Sequence, residues 1–396
     1  MRPQFINAAH FKNFWQTGNG KELLDWSQTD LDEATFHRYA PLFHQVDELG
    51  DAVVEETYVK LPYKEASAMI DHYILRANKG KDESPHPALS QLSAQLNNRP
   101  QWFDERLANF GASLCMRAGA NALMILRDFS LMGGYDFAYL NKPLIHTQAF
   151  KRGAVKRLKD TLEFWISVTR TDALRPQSKA FELIVRTRLM HSYARLKIKK
   201  NDQHWDYEKW GEPINLWDMI ATYTGFSLVF MQGLRKLGIR ISETEERGLF
   251  HLWKYVGYLL GIPASFLPDT RTQAVEQFYW WTTTQAKGDL DSVELALALR
   301  NENLENTIYK QLFRRQMLLK LHDSMNWFLL DSQIIQRLAI PQPPPLYRLF
   351  PKFILLANRF SQKIYTLSNA EKYARLVQFG NEQQQKVLAD YVKHCK

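Results

Sequence analysis

LIVRTRLMHSYARLKI, residues 183–198, forms the middle of a helix that the sequence predicts over 177–199. Five of its side chains recur at intervals of three or four residues, which places them on one face of a helix. Such a face turns towards the core of a globular protein, and its central member here is His191. The pattern therefore predicts an inward histidine in a stripe made of Ile184, Thr187, His191, Ala194 and Ile198.

The preceding helix also places polar groups on its predicted inner face. It is predicted over 153–169, with Arg157 and Thr161 one turn apart in its stripe. The connection over 171–177 is short enough to make the two helices antiparallel neighbours. At about 1.5 Å per residue, Arg157 then lies nearly level with His191, and a flat cofactor would fit between the helices. The predicted stripe consists of Ala154, Arg157, Thr161, Phe164 and Val168.

An imidazole among apolar side chains suits haem iron, and arginines beside it suit the two haem propionates. Arg188 and Arg195 lie one turn before and after His191 and are predicted on the flanks of its stripe. The alternative is a hydrogen-bonded core histidine with surface arginines around it, because buried histidines are common. Arg157 and Thr161 have an equally ordinary alternative, which is to bond a helix end or a neighbouring carboxylate. The residues alone leave both interpretations open.

Helical spacing dominates the rest of the chain, and strand alternation bounded by tight turns is absent. The sequence predicts an all-α protein that is irregular up to about residue 30, with a polar loop over 79–87. A capping box of Ser242 and Glu245 begins one helix, which Gly261 and Pro263 end. The further predicted helices span 32–39, 63–78, 87–96, 100–117, 119–133, 213–237, 243–260, 270–286 and 289–338, with two more near 353 and after 368.

Composition narrows the classes of protein to consider. The chain of 396 residues is 45% hydrophobic and 23% charged, which is typical of a folded protein. Cys115 and Cys395 are its only two cysteines, too few for a disulfide framework or a thiolate metal cage. The N-terminus has no signal-peptide pattern, so we expect a cytoplasmic protein. The uncharged run 219–234 contains several polar residues, which predicts a buried helix rather than a membrane span.

Other functional classes find less support. A di-iron carboxylate bundle needs Glu-x-x-His on inward helices, and the spacing from Glu83 to His86 lies in a Pro-containing loop. No phosphate-binding or dinucleotide motif is present. The net charge of +9 suits nucleic acid, an anionic membrane or an anionic cofactor, but no nucleic-acid recognition motif accompanies it. The basic, aromatic segment 343–360 suits peripheral contact with an anionic membrane, and the alternative is that it packs across the helical domain.

Four segments together resemble the haem oxygenases that include rubber oxygenase and the MpaB-type oxygenases. The resemblance covers residues 103–268. It implies that His191 is the proximal ligand of a haem b iron and that Arg157 and Thr161 are the catalytic residues on the distal side. The segments are VRTRLMHSYAR (185–195), WGEPINLWDMIATYTGF (210–226), HLWKYVGYLLGIP (251–263) and KRLKDT (156–161).

Two features of rubber oxygenase do not carry over to this chain. Its catalytic glutamate corresponds to Asn141, and its distal lysine corresponds to Asp160. We therefore expect an oxygenase that uses dioxygen to oxidise or cleave a carbon–carbon double bond in an isoprenoid- or lipid-like substrate other than rubber. The alternative is a non-catalytic helical haem- or lipid-binding protein at a membrane.

The expected fold is a single large multi-helical domain with a globin-like, haem-enclosing core. Within it we distinguish an N-terminal extension (1–100), the haem-binding core (101–340) and a C-terminal Pro-rich turn with helices (341–396).

Overall fold

A computed structural model describes residues 8–75, 86–147, 153–306, 310–364 and 369–394. Across these residues every regular element is a helix, which confirms the predicted all-α class. None of the helices described has both the length and the apolar composition to cross a membrane. The predicted loop over 79–87 lies largely outside the described residues.

The α-helices fall into three groups along the chain. The first group is α1 Lys12–Gln16, α2 Asn19–Ser27, α3 Glu33–Tyr39, α4 Glu48–Glu56, α5 Tyr63–Ile70, α6 Pro87–Asn97, α7 Glu105–Arg117, α8 Ala120–Ile125, α9 Met132–Gly134 and α10 Ala138–His146. The central group is α11 Ala154–Val168, α12 Lys179–Asn201, α13 Tyr207–Trp210, α14 Leu216–Thr224, α15 Phe230–Lys236 and α16 Glu243–Leu259. The last group is α17 Arg271–Thr282, α18 Leu290–Glu305, α19 Leu312–Leu329, α20 Ser332–Arg337, α21 Phe350–Ile364 and α22 Ala370–His394.

Local capping chemistry explains where the central helices begin. Ser178 caps α12 by accepting a hydrogen bond from the Phe181 amide at 3.0 Å. The predicted capping box of Ser242 and Glu245 is present at the start of α16. These side chains satisfy amides that have no partner within the first turn of a helix. The bounds of α11, α12 and α16 accordingly agree with the predicted bounds to within two residues.

Several predictions about helical regularity were wrong. The stretch predicted over 289–338 forms three helices, and π-helical turns interrupt the helices predicted over 63–78 and 119–133. The residues before 30 include α1 and α2, which pack on distant helices: Trp15 Nε1 donates to Thr282 Oγ1 at 2.8 Å. The helix predicted over 213–237 is interrupted by a π-helical turn over Gly225–Val229. The Ser130 hydroxyl donates to the Gly225 carbonyl at 3.0 Å, a contact from a helix 95 residues away in sequence that local periodicity does not encode.

A continuous core connects the groups. Helices α7 and α16 approach closely at Gly111 and Gly248, where an added Cβ would lie about 2.5 Å from the opposing backbone. The C-terminal helix α22 packs on α7 and α11, and the Gln384 amide donates to the Cys115 carbonyl at 2.8 Å. The chain is thus a single multi-helical domain, whose largest fully buried side chains include Trp165, Trp217, Trp253 and Trp281.

Candidate functional site

Helices α11 and α12 carry the predicted site and pack against each other. Lys179 at the start of α12 forms an ion pair of 2.9 Å with Glu163 near the end of α11. The connection between the helices covers only residues 169–178. The two predicted halves of the site therefore lie on neighbouring helices.

His191 lies near the middle of α12, with its ring only partly exposed. Its Nδ1 atom is buried and has no hydrogen-bond partner among the described residues. Burial lowers the pKa of the ring to about 4, with a further lowering by the charge of Arg195 and an opposing effect of Asp47. The imidazole is therefore neutral at pH 7, the protonation state in which histidine binds a metal.

A pH-dependent stability follows from this histidine. Its pKa falls from 6.5 to about 4 on folding, so the unfolded chain binds the proton more readily between these values. The stabilisation is complete above the unfolded pKa and is lost as the pH falls towards the folded one. For haem-free protein we expect a loss of about 2–3 kcal/mol in the free energy of unfolding between about pH 7 and about pH 4.5.

Urea denaturation at the two pH values measures this loss. His191→Gln is the matched variant because its side chain does not titrate. It should lose less stability than the parent over the same interval. An equal loss in both proteins would contradict a buried, neutral His191.

The arginines beside His191 lie deeper than the sequence predicted. The side chains of Arg188 and Arg195 are 2% and 0% exposed, so they are inside the protein rather than on the flanks of the stripe. Arg188 donates to both carboxylate oxygens of Asp47, at 2.6 and 2.7 Å. Arg195 pairs in the same two-pronged way with Asp51, at 2.7 to 3.0 Å. Arg188 and Arg195 could pair with haem propionates only if their ion pairs with Asp47 and Asp51 were broken.

These ion pairs also change which face of α12 is innermost. Arg188, Ser192 and Arg195 occupy the buried side towards α4, while His191 lies at the edge of the core. Met190 and Tyr193 beside it are 53% and 48% exposed. His191 is thus covered on one side and more open on the other. Of the predicted stripe, Ile184 and Ile198 are buried, and Thr187, His191 and Ala194 are partly exposed.

On α11 the core-facing residues are displaced by about one position from the prediction. Arg157, Thr161 and Phe164 are half-buried. Trp165 is fully buried against Phe230 at 5.3 Å between ring centroids. The side chains that pack into the core are Val155, Leu158, Leu162, Trp165, Ile166 and Val168.

Arg157 differs from the two arginines of α12 in its partners. Its Nη2 donates to the Tyr135 hydroxyl over 3.4 Å, and no carboxylate pairs with it among the described residues. In this half-buried position its charge has no ion-pair partner among the residues that the structure describes. The Thr161 hydroxyl donates to the Arg157 carbonyl at 3.0 Å, within the same helix.

Tyr135 contacts both Asn141 and Arg157, and helical periodicity did not predict it as a site residue. The buried Asn141 amide donates to the Tyr135 carbonyl at 2.8 Å, and Arg157 contacts the hydroxyl of the same residue. Asn141 also donates to Ser292 Oγ at 3.2 Å. Asp160, by contrast, is exposed and pairs with Lys156 and Lys159. Asn141 and Arg157 thus contact the same residue, Tyr135, whereas Asp160 faces solvent.

A metal site made of protein side chains alone is not found in the part of the chain described. No three His, Cys, Asp or Glu side chains there are grouped to hold an ion. A polar cleft of about 220 Å³, bordered by Arg38, Lys254 and Asp269, includes none of the predicted site residues. One histidine is, however, the ligand that the protein supplies to haem iron in many haem proteins.

Comparisons with known proteins agree with the fold and with the family resemblance. A family model described as "ER-bound oxygenase mpaB/B'/Rubber oxygenase, catalytic domain" matches residues 61–358. Among solved structures, latex clearing protein in the closed state is similar, with a TM-score of 0.66 and 16% identity. The match covers 87% of this chain and 91% of that one. A search of curated proteins finds no match.

Proposed function

Since the chain belongs to the family of mpaB-type and rubber oxygenases, we propose that it is a haem b-dependent oxygenase with His191 as the axial iron ligand. The observation that carries this proposal is the buried, unpartnered Nδ1 of a neutral imidazole. A buried nitrogen without a partner costs about 1–3 kcal/mol, so such an atom usually has a reason to be retained. A single neutral histidine at the edge of an all-helical core fits the protein's side of a haem site.

The bound haem would supply the activation of dioxygen, and the protein would supply position and charge. Arg188 and Arg195 hold α12 to α4 through Asp47 and Asp51, which keeps His191 in place. On α11, the Tyr135 hydroxyl contacts Arg157, and Asn141 binds the Tyr135 carbonyl. His191 and Arg157 thus each lie on a helix that side-chain contacts hold to other parts of the protein.

Arg157 is the proposed electrostatic catalyst. No carboxylate of the described residues competes for its guanidinium, so its donors can stabilise negative charge that develops on oxygen during the reaction. Thr161 is held against the Arg157 carbonyl and would orient that turn of α11 or contact the substrate. Asn141 cannot accept a proton as a glutamate can, which favours oxidation or cleavage of a double bond in a smaller isoprenoid- or lipid-like substrate over rubber.

An absorbance spectrum of the purified protein tests the haem. We expect a Soret band that shifts on reduction with dithionite and again on addition of carbon monoxide. A colourless protein after haem-supplemented expression would contradict the proposal and favour the non-catalytic lipid-binding alternative. Oxygen uptake with a panel of isoprenoids and unsaturated lipids then separates an oxygenase from a haem-binding protein without activity.

Replacing Arg157 separates catalysis from haem binding. Arg157→Ala should retain the Soret band and lose about 10²–10³-fold in oxygenase rate, the usual effect of removing one charge-stabilising donor. Arg157→Lys should recover part of the rate because it retains the charge. The exposed neighbour Lys156 provides the control, and Lys156→Ala should leave the rate unchanged. Unaltered turnover in Arg157→Ala would remove the proposed role.

The substrate class also suggests where the protein works. Isoprenoids and lipids partition into membranes, and segment 343–360 is basic and aromatic. We propose that the protein contacts a membrane peripherally through this segment and takes its substrate from there.

A further inference from the structure

One helix presents a row of large apolar side chains to solvent. The row comprises five residues three or four positions apart, and we call it the α21 stripe. It begins at Leu346, immediately before the short 3₁₀ turn Tyr347–Leu349, and continues along α21. Isolated exposed apolar residues are common, but a continuous row usually marks an interaction surface. The exposed fractions are Leu346 77%, Leu349 45%, Phe353 66%, Leu356 59% and Phe360 67%.

The opposite side of α21 is bound to the rest of the protein. The Asn358 amide donates to the Leu237 carbonyl at 2.9 Å, and the Gln362 amide donates to the Gly238 carbonyl at 2.8 Å. Before the helix, the Ser324 hydroxyl donates to the Tyr347 carbonyl at 2.6 Å. These contacts along its length determine which face of α21 turns outward, so the α21 stripe is a feature of the folded protein.

Exposed cations accompany the α21 stripe. Arg348, Lys352 and Arg359 are exposed, and at about 100° per residue they lie together along one edge of the apolar face. Arg348 donates to the Pro343 carbonyl, and none of the three pairs with a carboxylate among the described residues. Apolar side chains bordered by cations form the surface that amphipathic helices present to anionic lipid.

The sequence around α21 is also positively charged. Residues 332–370 contain no aspartate or glutamate, and neither do residues 310–322 at the start of α19. Helix α19 packs against α21 and exposes Leu312, Phe313 and Met317 in its first two turns. A second copy of the protein docked here would bring two basic segments together without carboxylates of their own. An anionic surface suits the charge better.

From these observations we infer that α21 docks in the plane of an anionic bilayer surface. The α21 stripe would enter the boundary between headgroups and acyl chains, while Arg348, Lys352 and Arg359 contact lipid phosphates. Fifteen residues of helix span about 22 Å, which is shorter than the hydrocarbon core, so the helix lies along the surface. The inference extends the membrane contact in the proposed function and does not require the haem.

Vesicle flotation with the full-length protein tests the docking. The protein should float with phosphatidylcholine–phosphatidylserine vesicles, bind phosphatidylcholine vesicles much more weakly, and lose affinity as salt is added. Phe353→Ser with Leu356→Ser should weaken binding more than about tenfold. Lys352→Gln with Arg359→Gln should weaken it about fivefold for each charge.

Leu290→Ser with Phe379→Ser is the matched control, because these residues are 82% and 57% exposed on other helices. This variant should bind as the parent does. Absence of vesicle binding, or equal binding by the Phe353/Leu356 variant, would overturn the inference. The inference would also be overturned if the parent bound no vesicles but associated with itself, and the Phe353/Leu356 variant did not. The Soret absorbance of each variant is measured as well. Because a protein without haem can still float, a failure of the haem proposal is then distinguishable from a failure of membrane docking.

Discussion

His191→Ala should abolish stoichiometric haem binding, and with it the Soret band and oxygenase activity. The variant removes the ring whose lowered pKa and whose Nδ1, without a hydrogen-bond partner among the described residues, fit an axial ligand. The iron would lose the strong bond that the protein supplies, because haem b is not covalently attached. Haem titration followed by absorbance measures the loss directly.

His251 provides a demanding control for that result. It lies in a segment that resembles the family, and burial lowers its pKa as well. However, its Nε2 already accepts a hydrogen bond from the Asp104 amide at 2.8 Å, and its ring stacks on Phe103. His251→Ala should therefore retain haem. Full haem occupancy in His191→Ala, or its loss only in His251→Ala, would contradict the assignment of His191.

Asp47→Ala should destabilise the whole protein by about 3–5 kcal/mol, because it leaves the Arg188 charge buried without a partner. Asp47 also caps α4 by accepting from the Gly50 amide at 3.1 Å, which adds about 1 kcal/mol. Chemical denaturation of haem-free protein measures the change. Haem affinity should fall as well, because α12 loses one of the two buried-arginine ion pairs, with Asp47 and Asp51, that hold it to α4.

Two further variants show whether the buried charge is the cause. Glu48 is exposed next to Asp47, so Glu48→Ala should change the free energy of unfolding by about 0.5 kcal/mol or less. Asp47→Leu combined with Arg188→Met removes both charges and should recover part of the loss. If Asp47→Ala were no more destabilising than Glu48→Ala, the pair with Arg188 would have no structural role.

Helical periodicity predicted the helices that carry the proposed site, because its signals are local. The bounds of α11 and α12, and the capping box at α16, depend on residues within a few positions of one another. The short connection made α11 and α12 neighbours, and they do pack together. The roles of His191, Arg157 and Thr161 remain proposals that the variants above test.

Periodicity did not predict which face of α12 turns inward. Arginine is typical of a protein surface and is seldom fully buried unless it is paired. The sequence therefore placed Arg188 and Arg195 on the flanks of the stripe. Their partners Asp47 and Asp51 lie 141 and 144 positions earlier in the chain. Two aspartates one turn apart at the start of α4, a helix that was not predicted, are the local signal, and nothing in it identifies α12 as the partner.

The sequence by itself determined an all-helical chain, the main helix bounds, a histidine on α12 and a basic apolar segment near the C-terminus, because propensity, capping and spacing act over a few residues. The tertiary structure decided which of these groups have partners. It pairs Arg188 and Arg195 with distant aspartates and turns the α21 stripe to solvent. Within the described part of the chain, Arg157 contacts the Tyr135 hydroxyl and no carboxylate, and His191 Nδ1 has no hydrogen-bond partner. Burial and pairing depend on residues far apart in sequence that meet only when the helices pack, and the proposed chemistry depends on which groups that packing leaves free.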